Sequence, residues 1–128
     1  PGADWLFVGE QDGKIFTLNP KQPDAKPELF VDLKANWQKL APHPNAKEFE
    51  FVYGLVFHPE YEKNRTCFVC YTLKGKKGPK VGQFDPEKNF PDGSRVSRFK
   101  VKVEDGKPPV LDVSSEEVVI TYLQGGHN

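Results

Sequence analysis

The sequence has no excess of either charge: its 18 basic and 18 acidic residues cancel over 128 positions. No net field is therefore available to gather nucleic acid or an anionic membrane surface, and neither is expected as a partner. Long apolar runs are also missing. No stretch approaches the roughly 20 residues needed to cross a bilayer as a helix, and the N-terminus has no basic start followed by an apolar segment. The chain reads as soluble, with any export signal already gone. Cysteine is scarce, with two residues in all, placed in Thr66-Cys67-Phe68-Val69-Cys70-Tyr71. Their spacing imitates a redox or zinc pair. In a strand, however, residues an odd number apart point to opposite faces, so the two thiols diverge and can share neither a metal nor a disulfide. They read as small packed groups, and no metal site is expected among these residues.

What the chain does have is turns and aromatics. Proline (12), glycine (11) and phenylalanine (10) are abundant while the apolar fraction is 37%, which favours many short strands over long helices. Trp5 to Glu10 and Lys14 to Leu18 flank Gln11-Asp12-Gly13, the pattern of a β-hairpin whose turn needs glycine at positive φ. Glu28 to Leu33 predicts a third strand with Leu29, Val31 and Leu33 on one face. Residues 34–50 read as a connection, because Pro42 and Pro44 stop any helical turn begun at Lys34. Phe51 to Phe57 is a nearly continuous apolar run, the mark of a strand covered on both faces. A turn over Glu60 to Asn64 leads to a strand from Cys67 to Leu73.

Lys74 to Gly93, rich in lysine, glycine and proline, predicts an exposed excursion. Arg95 to Val103 alternates polar and apolar residues apart from Val96, giving a half-buried strand with a solvated basic face. After Pro108-Pro109, Glu116 to Leu123 makes the last strand. Seven strands joined mostly by hairpins fit two architectures, the blades of a β-propeller and a β-sandwich, and periodicity does not separate them.

Three stretches carry a resemblance. Trp5-Leu6-Phe7-Val8-Gly9-Glu10-Gln11-Asp12-Gly13-Lys14-Ile15 is similar to the opening of the glucose/sorbosone dehydrogenase family. Tyr53-Gly54-Leu55-Val56-Phe57-His58-Pro59-Glu60-Tyr61 resembles that family's Leu-Gly-x-x-Phe-His-Pro element, and Leu123-Gln124-Gly125-Gly126-His127-Asn128 resembles the stretch that places a histidine ahead of a glycine-rich strand entry. The resemblance implies an all-β fold, the N-terminal part of a six-bladed β-propeller built from four-stranded antiparallel meanders. Residues 1–33 would give the first blade's strands, 34–50 the connection, 51–123 the next blade, and 124–128 the start of a glycine-rich active-site loop. The other blades would come from the remainder of the propeller.

The resemblance further implies a periplasmic or secreted oxidoreductase that oxidises an aldose or alcohol by hydride transfer to pyrroloquinoline quinone (PQQ), with calcium and a cytochrome as electron acceptor. His127 would be the general base, a role suited to an imidazole that is largely neutral at pH 7. Gly126 and Asn128 would lie against the quinone, glycine letting the backbone come close to a flat ligand. In sugar-oxidising members a glutamine just ahead of the Leu-Gly element contacts the quinone, whereas here that stretch reads Glu48-Phe49-Glu50-Phe51-Val52. A non-catalytic propeller module that binds carbohydrate or protein, or one that scaffolds a cytochrome partner, is the alternative. His58 reads as a turn-fixing hydrogen-bond partner, His43 has no partner that spacing can name, and Asn64-Arg65-Thr66 matches a glycosylation sequon of a kind that recurs by chance.

Overall fold

A computed structural model of the chain describes residues 5–22, 24–42, 46–75 and 93–122. These residues form two antiparallel sheets with very little helix. The first sheet has three strands in the order β1 (Leu6–Gly9), β2 (Lys14–Leu18) and β3 (Glu28–Asp32). The second has four, in the order β4 (Ala46–Phe57), β5 (Thr66–Gly75), β6 (Ser94–Lys102) and β7 (Val110–Tyr122). Each sheet is a simple meander, so the expectation of an all-β chain holds, and a sandwich-like pairing of the sheets is compatible with it.

The β1–β2 turn follows directly from its residues. Gly13 sits at φ 117°, its amide donates to the Glu10 carbonyl at 3.1 Å, and the Glu10 amide donates to the Lys14 carbonyl at 2.8 Å. The tip is then clamped from two sides. The Leu33 amide donates to the Gly13 carbonyl at 2.9 Å, and the Val52 amide of β4 donates to the Gln11 carbonyl at 3.0 Å. A methyl group on Gly13 would lie 2.9 Å from Phe49 Cε1 and 3.0 Å from the Lys34 backbone nitrogen, so space as well as φ calls for glycine here.

Four stretches differ from what alternation predicts. In β3 the register slips, with Ile15 opposite Val31 but Phe16 opposite Leu29. The extra residue is Phe30, and the bulge turns both Phe30 and Val31 inward while Leu29 stays 47% exposed. The strand expected to begin at Phe51 begins at Ala46, with register shifts on the way that alternation could not accommodate; the connection before it contains a short 3₁₀ turn at Trp37–Lys39. The turn over residues 60–64 contains one helical turn, α1 (Tyr61–Asn64), closed by Arg65 at φ 50°.

The last strand begins at Val110, not Glu116. Between the pairs Lys100 with Asp112 and Arg98 with Glu117, β7 carries more residues than β6. The surplus folds out around Ser115, whose hydroxyl accepts the Lys100 amide at 2.7 Å and donates to the Asp112 carbonyl at 2.6 Å. Of the excursion expected over 74–93, the structure places Lys74 and Gly75 in β5, and residues 76–92 lie outside the described part.

The core lies between the two sheets. Phe7 of β1 meets Phe30 edge-on at 5.0 Å and Phe57 of β4 at 4.7 Å, and Phe57 meets Tyr61 at 4.8 Å. Phe49 stacks on Tyr71 farther along the interface at 5.9 Å. β3 runs beside β7, and β1 beside β4.

The outer faces carry apolar rows beside charged pairs such as Arg98 with Glu117 and Lys102 with Asp112. On the first sheet Leu6 faces Leu18, Val8 faces Phe16 and Phe16 faces Leu29. On the second, one register row reads Gly54, Cys70, Val96 and Ile120 across all four strands. Val8 is 49% exposed, Val56 65% and Ile120 54%.

Candidate functional site

His127, Gly126 and Asn128, the residues that the resemblance assigns to base and quinone contact, lie outside the described residues, as does His43. His58 lies within them and does what its local sequence implies. Its Nδ1 accepts the Glu60 amide at 3.0 Å and stands 2.8 Å from Asn64 Nδ2. With both donors aimed at Nδ1, the ring proton belongs on Nε2. Asn64 Oδ1 accepts the Thr66 amide at 3.0 Å, so both ends of the sequon asparagine are engaged in this turn. Lys100 Nζ adds a bond to the Asn64 carbonyl at 3.0 Å. The cluster ties the two ends of α1 together and fixes the entry to β5.

The two cysteines behave as alternation predicts. Cys67 is fully buried on the inner face, Cys70 is half-buried on the outer face, and both are free thiols. Burial pushes the Cys67 thiol up to about 12, well above its ordinary range. Cys70 Sγ lies 3.5 Å from the Tyr122 hydroxyl, and that contact, followed by burial, raises the Tyr122 phenol.

The period of two set by Phe99 and Val101 puts Arg95 on the inner face of β6 despite its charge, and the structure agrees. Val96 faces outward in phase with Arg98 and Lys100, while Arg95 points inward and is 1% exposed. Its Nη1 donates to the Ala41 carbonyl at 2.6 Å and lies 3.5 Å from the Tyr71 hydroxyl. Glu116, turned inward by the Ser115 bulge, accepts hydrogen bonds from both the Tyr71 hydroxyl and the Ala41 amide. Burial first, then the adjacent Glu116 carboxylate, raises the Tyr71 phenol above its usual range. Guanidinium, phenol and carboxylate thus fasten the connection between the sheets at Ala41 to the interior of the second sheet. Its members use their polar atoms on one another and on the backbone, which is the arrangement of a structural network.

A second feature absent from the sequence reading is a cavity of about 290 Å³ between β1 and β4. Its walls include Phe7, Gly9 and Ile15 on one side and Val52, Gly54 and Leu55 on the other. The pinned contact between Gln11 and Val52 closes one end.

Neither implied cofactor is matched by the described residues. No group of three or more histidine, cysteine, aspartate or glutamate side chains among them could hold a metal ion. Where the family's quinone-contacting glutamine would stand, Glu48 pairs with Lys74 at 3.4 Å and Glu50 accepts the Thr72 hydroxyl at 3.2 Å. Among the described residues no helix is long and apolar enough to cross a membrane. A scan against protein-family models finds no match to this chain.

Proposed function

We propose that this chain is part of a β-propeller of the quinoprotein sugar dehydrogenase type. The observation that carries the propeller reading is an apolar row on the outer face of each sheet, set beside the charged positions Arg98, Lys100 and Lys102 of β6. A two-sheet sandwich turns polar residues outward on both sides. Here Leu6, Val8 and Leu29 stand exposed behind the first sheet, and Val56 and Ile120 behind the second. Sheets with apolar rows on both faces fit a radial stack in which each blade lies between two neighbours. Two further features support the same reading: each sheet is an uninterrupted meander, and β3 and β7 stand side by side as the outer strands of adjacent blades would.

The enzymatic part rests on the motif resemblance. In that reading the substrate is an aldose or alcohol, His127 takes the hydroxyl proton as the substrate is oxidised, and Gly126 and Asn128 line the cofactor. PQQ would serve as hydride acceptor when bound, with calcium, and both would be held by residues other than those described. A cytochrome acceptor and a periplasmic or secreted location go with this chemistry.

The test is an activity measurement on the complete protein. With PQQ, calcium and a panel of aldoses it should reduce an artificial electron acceptor. His127→Ala should lower the rate by about 10²-fold or more, the usual share of a general base. No reduction with any aldose or simple alcohol, or an unchanged rate in His127→Ala, would remove the enzymatic reading and leave a binding module.

A further inference from the structure

We draw no further inference here: the strongest candidate, the cavity between β1 and β4 walled by Phe7, Gly9, Val52 and Gly54, belongs to the seam between the sheets already described, and nothing in the structure shows what covers it.

Discussion

The buried guanidinium of Arg95 donates to the Ala41 carbonyl and lies beside the Tyr71 hydroxyl, and Glu116 joins the same network through Ala41 and Tyr71. Removing the guanidinium takes the cation out of that network and this donor from the Ala41 carbonyl, and loss of one partner from a buried charged network costs about 3–5 kcal/mol. Arg95→Leu should therefore lower the urea midpoint severely. Tyr71→Phe, which deletes the hydroxyl while keeping the ring stacked on Phe49, should cost about 1–2 kcal/mol in the same measurement. The thiols give a second contrast at this scale. Cys67, buried and pushed up to about 12, should resist iodoacetamide at pH 8 in the folded chain while Cys70 is alkylated, and both should react in urea, as read by mass spectrometry. Because burial raises the Cys67 thiol above its ordinary value of 9.0, the stability tied to its protonated form is complete below that pH and is lost as pH climbs toward about 12. The raised Tyr71 phenol acts in the same direction. Denaturant midpoints should accordingly fall on the alkaline side of about pH 9.

At the scale of elements, the β1–β2 hairpin concentrates three demands on Gly13: a positive φ, a close approach by Phe49 and Lys34, and a carbonyl that receives Leu33. Gly13→Ala should cost about 1–3 kcal/mol, the range for a strained backbone position. Gly54→Ala, with nothing within 4 Å of the added carbon, should change stability by less than about 0.5 kcal/mol. That comparison separates the two glycines by thermal unfolding alone. The hairpin was legible in sequence because its signal is local, an Asp-Gly between apolar runs. The His58 turn was legible for the same reason, since Glu60 and Asn64 lie two and six residues away. The partners of Arg95 were not legible, although its parity with Phe99 and Val101 already sets it on the inner face. Its partner at Ala41 is 54 residues away in sequence and the Tyr71–Glu116 pair is 45 apart, so nothing local points to either. The bulges at Phe30 and Ser115 break the period of two on which strand reading relies. The catalytic assignment rested on a terminal motif, and nothing local in the described strands bears on it.

At the scale of the molecule, the apolar rows on the two outer faces are the dominant property. Contiguous apolar sheet faces left in water invite association. The isolated chain should sediment as concentration-dependent oligomers, and a double variant, Val8→Lys with Ile120→Lys, should shift it toward monomer with little loss of stability. If the outer faces were solvated in the functional protein, that variant would leave sedimentation unchanged. In the complete propeller the same substitutions should instead be destabilising, by about 1–3 kcal/mol for each lysine forced against a neighbouring blade. The sign of the effect thus reports whether these faces are surface or interior.

The clamp at Ala41 has a mechanical consequence. The covalent path between the sheets would be slack if its length were free, but Arg95 and Glu116 grip it at Ala41 from inside the second sheet, shortly before it enters β4. A tug on β3 is therefore delivered to the start of β6 and the middle of β7, so that rotation of one sheet against the other must either carry that anchor along or rupture it.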